Sequence, residues 1–123
     1  MSRQRKSGKK QTFAKPTTQA KRACVDMFKA KVIDSLGTSR TYQEGLTRFS
    51  EWLRDNRCGP LVESASVSRA ERFLAERAKE VGQKTLDRDR QAVQALLRHT
   101  GKLDSKQRLP VIQAERQQVL QPR

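Results

Sequence analysis

Residues 38–53 read Thr-Ser-Arg-Thr-Tyr-Gln-Glu-Gly-Leu-Thr-Arg-Phe-Ser-Glu-Trp-Leu. Tyr42, Leu46, Phe49 and Leu53 recur at steps of four, three and four, which puts them on one stripe of an α-helix. Trp52 widens the stripe, and Thr38 or Ser39 supplies an oxygen to cap the free N–H groups of the first turn. Tyr42 is the sole tyrosine, and its place on the apolar stripe makes it a core residue.

Four further helical segments and no strand follow from the same periodicity. The first runs from about Thr18 to Leu36, with Val25, Phe28, Val32 and Leu36 as its buried stripe, Ala23, Met27 and Ala30 beside it, and Gly37 as its stop. The second covers about Ser39 to Asn56 and breaks at Cys58-Gly59-Pro60, after which a loop leads to Ser64. A third helix, capped by Ser66 or Ser68, continues to Val81 on Val67, Ala70, Leu74, Ala78 and Val81. The fourth spans about Lys84 to His99, burying Leu86, Val93, Leu96 and Leu97, and closes at Gly101. A short fifth is expected from Ile112 to Leu120, past the Leu109-Pro110 turn. The expected fold is all-α: a compact four-helix bundle over residues 18–103, a disordered basic arm over 1–17 and a short helical linker over 104–123.

Length, at 123 residues, suits one domain with a tail. The net charge of +14 points to a polyanionic partner. Its distribution is uneven: residues 1–22 hold eight Lys or Arg and no acid, so the other residues carry only +6 of the +14. Arg3, Arg5, Lys6, Lys9 and Lys10 head this arm, whose few apolar side chains cannot form a core and whose charge suits a phosphate backbone. No apolar run approaches the roughly 18 residues needed to span a bilayer, and no signal peptide opens the chain. A soluble, cytoplasmic protein without a membrane partner is therefore expected. Cys24 and Cys58 have no His or Cys neighbour at metal-ligand spacing and read as reduced thiols, Cys24 packed, in a reducing compartment.

One face of the fourth predicted helix carries the main candidate site. Lys84, Arg88, Gln91, Ala95 and Arg98 follow at steps of four, three, four and three, which aligns them on one side. Arg and Lys bond phosphates or guanine edges, Gln reads adenine, and Ala permits a close approach in the major groove. Thr85 adds a hydroxyl in the first turn, beside free backbone N–H groups. The bland alternative is a solvated face in which Asp87 and Asp89 neutralise Arg88 and Arg90. The second predicted helix offers a weaker surface of Arg40, Gln43, Thr47 and Arg48, interrupted by Glu44 and Glu51; Arg40 and Thr41 at its start are its best phosphate contacts. On the third, Arg69, Arg72, Arg77 and Lys79 alternate with Glu71, Glu76 and Glu80, which reads as a solvated, mutually paired face.

Catalysis finds no support. His99 is the one histidine and suits a helix C-terminus, and the chain has no glycine-rich phosphate loop, paired-acid arrangement or metal cluster. No catalytic residue, metal, cofactor or small-molecule substrate is expected.

The wording Thr41-Tyr42 … Leu46 … Phe49 … Trp52-Leu53 resembles the first conserved helix of the core-binding domain of tyrosine recombinases, the phage-integrase family. Val67-Ser68-Arg69-Ala70-Glu71-Arg72-Phe73-Leu74 and the helix opening Lys84-Thr85-Leu86-Asp87-Arg88 extend the resemblance. Lys102-Leu103 and Leu109-Pro110-Val111 look like the bridge into that family's catalytic domain. The resemblance implies a SAM-like four-helix bundle that helps clamp double-stranded DNA in site-specific recombination, beside other integrase protomers. It implies that Arg40 and Thr41 of the second helix, and Lys84, Thr85, Arg88, Gln91 and Arg98 of the fourth, face DNA. The family's catalytic arginines, histidines and nucleophilic tyrosine lie in a second domain that residues 1–123 do not include, so strand cleavage is not expected of them. Two other readings remain open: a basic RNA-associated protein, and a protein-interaction module docking through Val111, Ile112, Val119 and Leu120.

Overall fold

The computed structural model describes residues 14–115, and the arm residues Arg3, Arg5, Lys6, Lys9 and Lys10 lie outside them. The described residues form five helices and no strand: α1 (Pro16–Lys29), α2 (Leu36–Asp55), α3 (Leu61–Ser64), α4 (Val67–Arg77) and α5 (Gln83–His99). The long central helix α2 packs on both α1 and α5. Leu46, Phe49 and Leu53 are fully buried on its inner stripe, Trp52 nearly so, and Tyr42 packs at the edge of the core. Phe49 meets Phe73 of α4 at 5.0 Å between ring centroids, and Trp52 meets the same ring edge-on at 6.2 Å. These three rings centre the core, to which α5 adds Leu86, Val93, Leu96 and Leu97.

The first helix ends earlier than its periodicity predicts. Lys31 adopts a left-handed conformation at φ 63°. The Val32 N–H then bonds the Met27 carbonyl at 2.8 Å and the Lys31 N–H bonds that of Phe28 at 3.0 Å. This is a Schellman cap, and it turns the chain so that Ile33, not Val32, enters the core. Gly37 is accordingly no stop; it lies in the first turn of α2, which is capped by Ser35 accepting from the Thr38 N–H at 3.1 Å. The predicted stripe of Val25, Phe28, Val32 and Leu36 is exposed, whereas Ala20, Ala23, Cys24 and Met27 are buried. Ala20, Ala23 and Cys24 let α1 lie close against α2, and the flexible Met27 fills the space that remains. Burial raises the Cys24 thiol to about 11, against a lesser pull from its hydrogen bond with Ser39, so it stays protonated.

The same cap ends α2, with Arg57 at φ 57°, and ends α5, with Gly101 at φ 80°. The expected loop before Ser64 contains the single turn of α3, whose Leu61 N–H bonds Gln19 Oε1 of α1 at 2.7 Å. Ser66 caps α4 by accepting from the Arg69 N–H, and α4 gives way to turns after Arg77, with Ala78 still buried.

Residues 103–114 form a strap along α5 and Glu115 is helical, so helix begins at least three residues after Ile112; the rest of the expected segment to Leu120 lies outside the described residues. Gln94 Oε1 accepts from the Leu109 N–H at 2.8 Å, and Gln83 Oε1 accepts from the Ala114 N–H at 2.8 Å. Gln83 Nε2 donates to the Ile112 carbonyl, and the Glu115 N–H bonds the Ala78 carbonyl. Leu103, Leu109 and Ala114 are buried beneath these bonds, while Val111 stays exposed. The side chains of Gln83 and Gln94 take up backbone groups of residues 109–114 that are outside any helix, and so hold this segment on α5. Val119 and Leu120 lie outside the described residues.

Gly45 sets the separation of α2 and α5. A methyl group placed on it lies 3.1 Å from Ala92 Cβ and 3.1 Å from the Asp89 carboxylate. Gly45→Val is expected to force the two helices apart and cost about 1–3 kcal/mol, measured by urea unfolding. Lys31→Gly is expected to raise stability by roughly 0.5–1 kcal/mol in the same assay, because relief of the left-handed backbone outweighs the added entropy of the unfolded chain.

Candidate nucleic-acid interface

Because Gly45 brings α2 and α5 together, the N-terminal half of α2 and the first turns of α5 form the two walls of a groove of about 660 Å³. Arg40, Thr41, Gln43, Thr47 and Arg48 line it from α2, and Thr85 and Arg88 from α5. Thr17 of α1 closes one side. Four residues expected to share a partner are thus brought together: Arg40, Thr41, Thr85 and Arg88. The weaker surface predicted on α2 is the opposite wall of the same groove.

Arg40, Lys84, Thr85, Arg88 and Gln91 are exposed. Among the described residues, none of the cations Arg40, Lys84 and Arg88 has an ion pair or side-chain hydrogen bond. Thr41 donates its hydroxyl to the Gly37 carbonyl at 3.1 Å, which leaves its oxygen to accept. Arg48 leans on Glu51 at 3.2 Å, an exposed pair, and Glu44 also lines the groove, so the groove is mixed in charge. Lys84 and Gln91 stand outside the groove lining, along the same helix.

Arg98, on the same face, is half-buried. Its Nη2 donates to the Gln107 carbonyl of the strap, and its Nε is shut away from solvent without a partner. The side chain reaches Gln107 because the Schellman turn at Gly101 brings the strap back past the last turn of α5.

The floor of the groove holds a residue pair that the periodicity of charges obscures. Asp89 is 4% exposed, and Arg77 of α4 donates to it through Nε at 2.9 Å. Asp89 therefore does not neutralise Arg88 or Arg90. The signal for its burial is present in the sequence, since Asp89 falls three residues after Leu86 and four before Val93, on the apolar stripe. Burial raises its carboxyl above the ordinary 3.8, while the charge and hydrogen bond of Arg77 pull it back.

The charged face of α4 is correspondingly less solvated than expected. Arg72 lies over the Trp52 ring at 5.3 Å, Glu76 accepts from Trp52 Nε1 at 2.8 Å, and Arg69 donates to the Ser64 carbonyl at 2.9 Å. These side chains serve the junctions with α2 and α3. No group of His, Cys, Asp and Glu able to hold a metal occurs among the described residues, and no described helix is long and apolar enough to cross a membrane.

A family model described as phage integrase, N-terminal SAM-like domain, matches residues 25–100, from the middle of α1 to the cap of α5. The match takes in the α2, α4 and α5 wording on which the resemblance rests. No curated protein and no solved structure matches the chain.

Removal of Arg77 leaves Asp89 buried without its counter-charge. Arg77→Ala is expected to cost about 3–5 kcal/mol near neutral pH. A raised carboxyl favours the protonated native state, so the native state binds more protons than the unfolded one at pH values above 3.8. Without Arg77 this imbalance grows, and the defect of Arg77→Ala relative to the parent is expected to shrink as pH falls from 7 toward 4. Denaturation of both proteins across that range measures it.

Proposed function

Because the chain belongs to the phage integrase N-terminal SAM-like domain family, we propose that it is a double-stranded DNA-binding module of tyrosine-recombinase-type integration. One observation carries this reading: the groove between α2 and α5 gathers Arg40, Thr41, Thr85 and Arg88 from two helices onto one surface. Arg40 and Arg88, without partners among the described residues, meet phosphates, and the hydroxyls of Thr41 and Thr85 supplement them. Lys84 and Gln91 continue this surface along α5, where Gln91 faces base edges. The mixed charge of the groove suits orientation on a duplex, since Glu44 and Glu51 repel phosphates from the wrong register.

The basic residues Arg3, Arg5, Lys6, Lys9 and Lys10 add affinity by further phosphate contacts. Membership assigns the chain to integration at the level of the family; strand cleavage belongs to a separate catalytic domain in this reading, and other integrase protomers are its protein partners.

Phosphate contacts release counterions, so about six of them give a log–log salt slope near −5 for duplex DNA. A slope near zero refutes the reading. Arg88→Ala and Arg40→Ala are each expected to weaken duplex binding while leaving the thermal midpoint within a few degrees, since neither side chain holds the fold. Stronger binding to duplex RNA than to duplex DNA in direct competition favours the RNA-associated alternative instead.

A further inference from the structure

The turn at residues 104–108, which follows α5, carries two exposed cations, Lys106 and Arg108. Neither has an ion pair or a side-chain hydrogen bond among the described residues. The turn itself is braced throughout. On its near side, Lys102 Nζ donates to the carbonyls of Val62 and Ala65, and Leu103 is buried. On its far side, Leu109 is buried and its N–H is held by Gln94. Between them, the Gln107 N–H bonds the Asp104 carbonyl at 3.0 Å, and the Asp104 N–H bonds Gln107 Oε1 at 2.9 Å. Arg98 grips the Gln107 carbonyl from α5.

We propose that Lys106 and Arg108 form a second phosphate-binding site, mounted on α5 by Arg98. The proposal rests on the DNA-binding reading above and extends it to a segment that the helix pattern does not reach. Arg98 is a positioning residue in this arrangement: its guanidinium holds the turn, and the turn presents the cations. Arg88 and Arg98 are ten residues apart, which is about 15 Å along a helix. The groove of Arg40 and Arg88 and the braced turn therefore sit toward opposite ends of α5, with Gln91 between them, and can engage separate phosphates of one duplex. Asp104 is the one acid in the turn, which leaves it with a net charge of +1. Because the turn is fixed beforehand, its two cations bind phosphate without a large ordering cost.

The test is duplex-DNA titration of the full chain over a range of salt concentrations. Lys106→Ala/Arg108→Ala is expected to weaken binding and to make the log–log slope shallower by about 2, at roughly 0.9 per phosphate. Arg54→Ala/Lys79→Ala removes the same charge from positions belonging to neither site, and is expected to keep the parent slope. Equal losses from both pairs overturn the proposal, because the effect is then one of net charge. Arg98→Gln is expected to weaken binding in the parent, yet to change it by less than about twofold in the Lys106→Ala/Arg108→Ala background. Additive losses overturn the positioning role and return Arg98 to direct contact. If Arg88→Ala weakens binding while Lys106→Ala/Arg108→Ala does not, the turn site alone fails. If neither has an effect, the DNA-binding reading fails with it.

Discussion

The close approach of α2 and α5 at Gly45 is the constraint on which the rest of this structure depends. Without a side chain there, the backbone of α2 comes within van der Waals reach of Ala92 and Asp89. A Cβ there would press on Ala92 and Asp89, and a branched side chain is expected to separate the two helices and spread the groove that faces solvent above. Asp89 is buried as a consequence of this contact, and a buried carboxylate needs a counter-charge. Arg77 supplies it from α4. A single glycine thus links the packing of two helices to the placement of a third, and all three define the groove.

Around that contact, side-chain to backbone bonds supplement the apolar core. Gln19 ties α3 to α1, Gln83 and Gln94 hold the strap to α5, and Lys102 occupies the carbonyls at the α3 turn. A chain with only 34% hydrophobic residues has a small core, and such bonds extend its ordered surface beyond what apolar burial alone supports. They also fix the strap, so a basic segment after α5 is presented in a defined position. On the proposed DNA-binding reading, fixed positions of cations matter as much as their number.

Much of this arrangement is written in local sequence. The apolar steps of α2 and α5 place Leu46, Phe49, Leu53, Leu86, Val93, Leu96 and Leu97 inside, and all seven are buried. Ser66 caps α4 as its sequence implies, and the family wording of α2 agrees with the matched domain. The first helix shows where local reading stops. Two interleaved stripes run along it, one of Val25 and Phe28 and one mostly of small residues with Met27, and hydrophobicity favours the first. The close-packed partner selects Ala20, Ala23 and Met27 instead. Its end is hidden for a related reason: Lys31 takes a backbone conformation usually given to glycine, and only the capping bonds around it make that tolerable.

The candidate site divides along the same line. Exposure of Lys84, Arg88 and Gln91 follows from helical spacing alone, because their positions opposite Leu86, Val93 and Leu97 are set within one helix. Meeting of Arg40 with Arg88, burial of Asp89 against Arg77, and capture of Arg98 by Gln107 join residues 9 to 48 positions apart in the chain. Periodicity describes one element at a time, so it determines which face of a helix is polar. Which polar faces come together depends on how closely helices approach, and here that distance is set by the absence of one side chain at Gly45.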